Sequence, residues 1–352
     1  MAPEKSWTDP LFRGGKRGLS PIPVVVLTGA LGAGKTTLLN AALRTGAIRS
    51  AAVVVNEFGA AGIDHDLIES SSEDVVLLPG GCACCEVRAD LAEALLRLER
   101  SAARAEIARF ERIVVETSGL AEPGPILQLF IESPALAGRF RLEALVTVVD
   151  AAFGRAELAQ ESTAYRQTLL ADRLIVTKWE SAEAAELARF ESRLAELAPH
   201  AERLRAPRDS ANSAWFGPAQ APARKIDGRA QHAAHDESIE SFVLRWEHRQ
   251  PLAAIGEWLH GLSGNYAARL LRVKGIVAVA EDPRPVAVHA IRHQVAAPEF
   301  LAGTADASRV VFITRGLEAG DVRPAWKFDL EGNGGAASRR FVPSSGWTAA
   351  SR

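Results

Sequence analysis

Short apolar runs recur along the first part of the chain. Ile22-Pro23-Val24-Val25-Val26-Leu27, Ala51-Ala52-Val53-Val54-Val55, Asp74-Val75-Val76-Leu77-Leu78 and Glu111-Arg112-Ile113-Val114-Val115 are rich in β-branched residues, as are Leu142–Val149 and Asp172–Val176. Each is bounded by Gly, Pro or polar residues, which predicts buried strands. Between them lie stretches of helical period. Thr37–Arg44 is one, Glu86–Arg104 carries Leu91, Leu95 and Leu98 on one face, and Glu183–Leu197 carries Leu187, Phe190, Leu194 and Leu197 on one face. Strands alternating with helices predict an α/β domain over residues 21–204, built on a doubly wound, mainly parallel sheet. Residues 205–237 lose the pattern and are rich in Pro, Ala, Ser, Gly and Arg, as a linker is. Beyond it, Ile239–Trp246, Ala268–Val279, Val286–Val295 and Arg309–Ile313 read as strands and Leu252–Leu262 as a helix. Residues 238–324 are thus expected to form a smaller α+β domain, with flexible tails at 1–20 and 325–352.

The turn between the first strand and the first helix carries the most specific chemistry. Gly29-Ala30-Leu31-Gly32-Ala33-Gly34-Lys35-Thr36 fits the P-loop pattern G-x-x-x-x-G-K-[ST] at every fixed position. This predicts a P-loop NTPase domain. Backbone N–H groups at Gly29, Gly32, Ala33 and Gly34 and at the helix start, Lys35 to Thr37, would cradle phosphates. Lys35 would neutralise the β/γ oxygens and the Thr36 hydroxyl would ligate Mg²⁺. Glu116 ends a later strand, where a carboxylate orients the Mg²⁺ shell, and the Gly119 N–H stands where a γ-phosphate is sensed. Two carboxylates, a histidine and several glycines follow the second strand in Asn56-Glu57-Phe58-Gly59 and Gly62-Ile63-Asp64-His65-Asp66, a candidate switch loop.

Composition narrows the class. The three cysteines fall within one tetrapeptide, Cys82-Ala83-Cys84-Cys85, after Gly80-Gly81 and ahead of a predicted helix. That is no disulfide framework, and a helix N-terminus favours the thiolates that bind soft metals. Cys82, Cys84 and Cys85 are therefore candidate zinc ligands. Glu57, His65 or a second-domain histidine would complete the shell, or one position would stay open for exchange. Lys+Arg number 41 against 43 Asp+Glu, for a formal charge of −2, so no electrostatic footprint for nucleic acid or an anionic membrane is expected. The polar start of the chain and the lack of a long apolar run point to a cytoplasmic protein.

Taken together, these motifs resemble the CobW-type P-loop GTPases, the zinc-metallochaperone GTPases. The resemblance rests on Gly29–Thr36, Asn56–Gly59, Gly62–Asp66, Gly81–Cys85 and Glu116-Thr117-Ser118-Gly119-Leu120-Ala121-Glu122-Pro123. A looser match covers Leu271–Gly275 and Val311–Gly316. It implies a GTPase domain with a smaller C-terminal domain, and zinc or cobalt on the cysteine motif. It also implies GTP/GDP-controlled delivery of that metal to a client metalloprotein, by a monomer or homodimer. Asp64 joins Lys35 and Glu116 as a candidate for arranging the attacking water. The resemblance also makes Thr177-Lys178-Trp179-Glu180 the guanine-reading motif, through Thr177, Lys178 and Glu180. Its acid is Glu where the family has Asp, about 1.3 Å longer in reach, which weakens the expected guanine preference. The histidine-rich run of many relatives is reduced to His232 and His235. Two alternatives fit the same residues: a P-loop ATPase or small-molecule kinase, and a redox-sensing nucleotide switch.

Overall fold

The computed structural model describes residues 21–56, 75–79, 87–152, 158, 162–208, 210–219 and 239–323. The first sheet holds β1 (Ile22–Gly29), β2 (Ala51–Asn56), β3 (Val75–Pro79), β4 (Arg112–Thr117), β5 (Phe140–Asp150), β6 (Arg173–Thr177) and β7 (Glu202–Arg205). Their order in space is β3-β2-β4-β1-β5-β6-β7. Every pairing is parallel, so each connection must cross over the sheet. Five helices lie in these crossovers: α1 (Lys35–Arg44), α2 (Val87–Ala103), α3 (Pro123–Glu132), α4 (Thr163–Leu170) and α5 (Ala184–Leu197).

The β-branched runs are apolar throughout because both sheet faces are covered. Val25 and Leu27 of β1 feed a core shared with Leu38 and Leu39 of α1. Their neighbours Val24 and Val26 feed the opposite core, with Leu91, Leu95 and Leu98 of α2 and Leu127 of α3. β1 lies between β4 and β5, where the chain's winding reverses, which opens a crevice at the C-terminal ends of the strands.

One stretch differs from its composition. Residues 206–219 look like linker, yet Trp215 and Phe216, in a short 3-10 turn, are buried in the α1-side core. Arg173 holds the turn, donating to the carbonyls of Trp215 (2.7 Å) and Gly217 (3.1 Å) and, through the same guanidinium, to Pro218 (3.0 Å). Packing of the first domain thus continues to Ala219.

The C-terminal domain has β8 (Ile239–Trp246), α6 (Leu252–Asn265), β9 (Leu270–Val277), β10 (Val286–Ile291), β11 (Gln294–Val295), β12 (Glu299–Phe300) and β13 (Ser308–Arg315). They form an antiparallel sheet, β11-β10-β9-β13-β8, with β12 paired to β10. Val286–Val295, which reads as one strand, is folded into the β10–β11 hairpin, with Arg292 in the left-handed region at φ 53°. α6 covers one face, burying Ile255, Trp258 and Leu259 with Val273, Val310 and Phe312. Among the described residues, no helix is long and apolar enough to cross a membrane.

The other face of this sheet lies on the first domain. Ile313 enters the core of Leu174 and Leu194. Arg272 and Lys274 of β9 reach Asp172, ahead of β6, each at 3.0 Å. Burial alone would raise the Asp172 carboxyl. Arg272, Lys274 and the Leu145 N–H outweigh it and hold the group well below the usual carboxylate range. His200 joins the domains as well, with Nε2 3.0 Å from the Ala171 carbonyl and Nδ1 2.7 Å from Ser241 Oγ. A carbonyl only accepts, so a neutral His200 donates from Nε2 and accepts the Ser241 hydroxyl at Nδ1.

Burial pushes His200 down to about 4, against the pull of Asp172. A depressed folded pKa contributes stability that is full above the unfolded value, about 6.5, and is lost as pH falls through the folded one. Between about pH 7 and pH 5 the chain should lose about 2 kcal/mol through His200. Urea denaturation of wild type and His200→Gln at both pH values checks this. The variant should show the shallower pH dependence, and equal slopes would mean that His200 protonates freely in the fold.

Candidate functional site

The P-loop is shaped by backbone that most residues cannot adopt. Gly29 ends β1 at φ +142°, and a Cβ there would stand 2.2 Å from the Val148 carbonyl oxygen of β5. Gly34, at φ +96°, is the N-cap from which α1 starts at Lys35. Ala33 N–H closes the turn onto the Ala30 carbonyl at 3.2 Å. The result is a loop that opens onto a helix N-terminus, where the N–H groups and the helix dipole favour an anion.

Three expected residues meet here. Lys35 folds back over the loop, its Nζ 3.0 Å from the carbonyls of both Gly29 and Ala30. Thr36 Oγ1 donates to Glu116 Oε1 at 2.7 Å across the β1–β4 pair. Glu116 is 3% exposed at the end of β4, beside Leu27 in the parallel register. One residue on, Thr117 Oγ1 donates to Thr28 Oγ1 at 2.9 Å. Gly119 rests on the P-loop itself, where a Cβ would lie 2.5 Å from Leu31 N and 2.6 Å from Leu31 Cα. Thr37 follows at the exposed surface of the first helical turn.

The expected base-reading motif is strapped to the same loop. Thr177 Oγ1 donates to the Ala33 carbonyl at 2.7 Å. Lys178, in the left-handed region at φ 53°, bonds the Gly32 carbonyl at 2.9 Å and Asp150 Oδ2 at 2.6 Å. Trp179 closes the turn through Nε1 to the Ala206 carbonyl at 3.1 Å, with the Arg205 guanidinium 5.4 Å from its ring. Glu180 is exposed and accepts from the Arg208 N–H through Oε1 at 3.1 Å.

Two site residues carry no motif signal. Asp150 ends β5 and anchors Lys178. Gln167 of α4, fully buried, donates through Nε2 to the carbonyls of Ala121 (3.0 Å) and Gly119 (3.3 Å) and so holds the segment after Glu116. Glu122 in the same segment makes a two-nitrogen pair with Arg166, at 2.6 to 3.0 Å. A fold-level reading of helix α4 would have flagged Gln167, because it is a polar residue on a face that must be buried. Glu57, Asp64, His65, Cys82, Cys84 and Cys85 lie outside the described residues. The cysteine segment leaves the C-terminal end of β3 and rejoins the fold at α2, so its chain begins on the strand edge that carries the P-loop.

The chain matches two family models: "CobW/HypB/UreG, nucleotide-binding domain" over residues 23–205 and "Cobalamin synthesis protein cobW C-terminal domain" over residues 239–327. It is 38% identical to the zinc chaperone YjiA of Escherichia coli over 51% of this chain and 55% of that one. To the zinc chaperone CobW of Pseudomonas aeruginosa it is 29% identical, over 85% of this chain and 89% of that one. It is 41% identical to the zinc-regulated GTPase metalloprotein activator 1 of Schizosaccharomyces pombe, over 38% of this chain and 32% of that one. The matches to YjiA and to the yeast protein therefore span only about half, and about a third, of those proteins. The crystal structure of zinc-bound YjiA GTPase shares the fold, with TM-score 0.60 and 24% identity over 87% of this chain and 98% of that one.

Gly119→Ala tests the seating of the Glu116 segment on the P-loop. Its methyl would meet backbone at under 3 Å, so the nucleotide-free protein should lose about 1–3 kcal/mol in urea denaturation. Unchanged stability would mean that the segment does not rest on Leu31.

Proposed function

The chain belongs to the CobW/HypB/UreG family, and on that premise we propose that it binds and hydrolyses GTP and carries zinc to client metalloproteins under nucleotide control. The observation that carries this reading is the Thr36–Glu116 hydrogen bond at the mouth of a fully shaped P-loop. It joins a hydroxyl and a carboxylate beside the phosphate cradle, the hard oxygen donors that suit Mg²⁺. When bound, Mg²⁺ neutralises charge on the β- and γ-phosphates. Thr36 would hold it directly and Glu116 would orient its shell.

In this reading Lys35 exchanges the Gly29 and Ala30 carbonyls for phosphate oxygens, and the loop N–H groups from Gly32 to Thr37 hold the rest of the triphosphate. Glu116 and Asp64 position the attacking water. Gly119, which rests on Leu31 of the P-loop, offers its N–H to the γ-phosphate, and Gln167 and Arg166 are the contacts that hold its segment. Thr177 and Lys178 fix the base loop to the P-loop, and Glu180 accepts from guanine once it turns from the Arg208 N–H. Zinc is the cargo, held by Cys82, Cys84 and Cys85 with Glu57 as a further ligand. Cobalt is the alternative cargo, and metal titration distinguishes the two. Free thiols persist best in a reducing compartment, which supports a cytoplasmic location. Neither the ATPase or kinase alternative nor the redox switch gains support from the family match.

Nucleotide state and zinc affinity are linked reciprocally if both sites bias one equilibrium. Chelator competition on reduced protein should show at least about a tenfold difference in zinc affinity between the GDP form and the form with a non-hydrolysable GTP analogue. That equals about 1.4 kcal/mol of coupling. Adenine nucleotides should give no such difference. Cys84→Ala should lose zinc and keep GTP binding. Equal loss of both ligands would overturn separate sites, and no zinc binding at all would remove the metallochaperone reading while leaving the GTPase.

A further inference from the structure

At the opposite edge of the parallel sheet from the P-loop, the two domains enclose a cavity of about 410 Å³. That volume suits a small organic molecule. Apolar walls come from both sides, Leu142 from the first domain and Ile276, Leu301 and Val311 from the second. Charge is distributed unevenly around them. Asp172 is fully engaged by Arg272, Lys274 and the Leu145 N–H. Arg141 pairs with Glu143 Oε1 at 2.9 Å and approaches Glu299 at 3.8 Å. Arg309 also lines the cavity and is the surplus cation: four guanidinium or ammonium groups (Arg141, Arg272, Lys274, Arg309) stand against three carboxylates (Glu143, Asp172, Glu299).

The unmet hydrogen-bonding capacity has the same location. Arg309 Nε and Nη2 are shielded from solvent and have no hydrogen-bond partner among the described residues, and neither has Glu143 Oε2. Nε–H and Nη2–H form one edge of a rigid planar fork, which matches two oxygens of a carboxylate or phosphate. A buried fork edge without a protein partner is costly in a folded protein, and such a group calls for an explanation. Among the described residues, the charged neighbour that most affects Arg309 is Arg245, of like sign. The two histidines at the cavity add no charge. Burial and the nearby cations hold His289 near 3, and burial holds His200 near 4, so both are neutral.

We propose that this inter-domain cavity is a binding site for a small organic oxyanion, seated through its carboxylate or phosphate on the Arg309 fork. A hydroxyl or amine of the same molecule donates to Glu143 Oε2, and its body packs on Leu142 and Ile276. The site is separate from the nucleotide pocket. Asp172 precedes the first residue of β6 and Thr177 ends it, about 17 Å along an extended strand. An occupant touching both domains would favour the placement of the C-terminal sheet on the first domain that the Asp172 cluster already holds.

The test uses the full chain saturated with GDP, so that the P-loop cannot take the probe. Malate and glycerol 3-phosphate, each an oxyanion with a hydroxyl, are titrated by calorimetry into wild type, Arg309→Met, Arg309→Lys and Glu143→Gln. Binding of at least one probe to wild type is expected, and which one binds tells carboxylate from phosphate. Arg309→Met, of similar volume, and Arg309→Lys, which keeps the charge without the fork, should each weaken it about tenfold or more. Glu143→Gln should weaken it as well, since an amide removes the charge that draws the donor. GDP affinity should be unchanged in all three variants, which also reports that they fold. Absence of binding by both probes, or equal binding in both Arg309 variants, overturns the proposal. So does binding that appears only when Asp227, Asp236 and Glu237 are changed to their amides, because the chain's own carboxylates would then be the occupant. None of these outcomes bears on GTP or zinc.

Discussion

Parallel pairing of β1 with β4 is the constraint on which the nucleotide end of this molecule depends. It sets Glu116 beside Leu27, so the carboxylate stands next to the first turn of α1 and within 2.7 Å of the Thr36 hydroxyl. On the other side β5 presses the Val148 carbonyl against Gly29, which forbids a side chain there and aims the chain into the loop. A strand held on both flanks gives a loop with little freedom, and a loop with little freedom can hold N–H groups ready for phosphate before any ligand arrives.

Around that fixed centre, the other parts of the site are attached by single hydrogen bonds or small sets of them. Gln167 ties down the segment after Glu116, and Lys178 spans Asp150 and the Gly32 carbonyl. These attachments are few enough to be exchanged for bonds to a nucleotide. A switch requires that combination: a rigid centre and neighbours with two affordable arrangements. The three cysteines lie in sequence between β3 and α2, one connection away from the same strand edge.

The parts of this architecture that are periodic or locally encoded were legible in the chain. β1 to β6 and helices α1, α2 and α5 follow from their apolar spacing, and Gly29–Thr36 and Glu116 from their positions at strand ends. What was not legible depends on partners distant in sequence. Trp215 and Phe216 look like linker because Pro, Ala and Ser surround them, yet Arg173, about 40 residues earlier, organises their carbonyls. β7 is only four residues long and carries one apolar residue, Leu204, among three charged ones, too short for period to declare it. Gln167 and Asp150 belong to no motif, since each acts on backbone or on a lysine that only the fold brings near. The inter-domain cluster was hidden for a further reason: Asp172, Arg272 and Lys274 are ordinary surface residue types until two sheets bury them together.

That cluster raises the question of why charge is buried where apolar residues would pack as well. Replacing a buried ion pair by well-packed apolar groups is often neutral or stabilising, whereas removing one partner is costly, so such a cluster argues for specificity of placement rather than for stability. Here the placement is that of the C-terminal sheet on the first domain, and the anchor is Asp172, the residue just ahead of β6. The far end of the same strand carries Thr177 and Lys178, which are bonded to the P-loop. Arg173, the first residue of the strand, is 1% exposed and bound on several sides, so β6 cannot slide without breaking contacts at both ends. The contacts of Asp172 with the C-terminal sheet and of Lys178 with the P-loop therefore lie at the two ends of one short element. The C-terminal sheet is thus anchored just ahead of the strand whose other end is bonded to the P-loop.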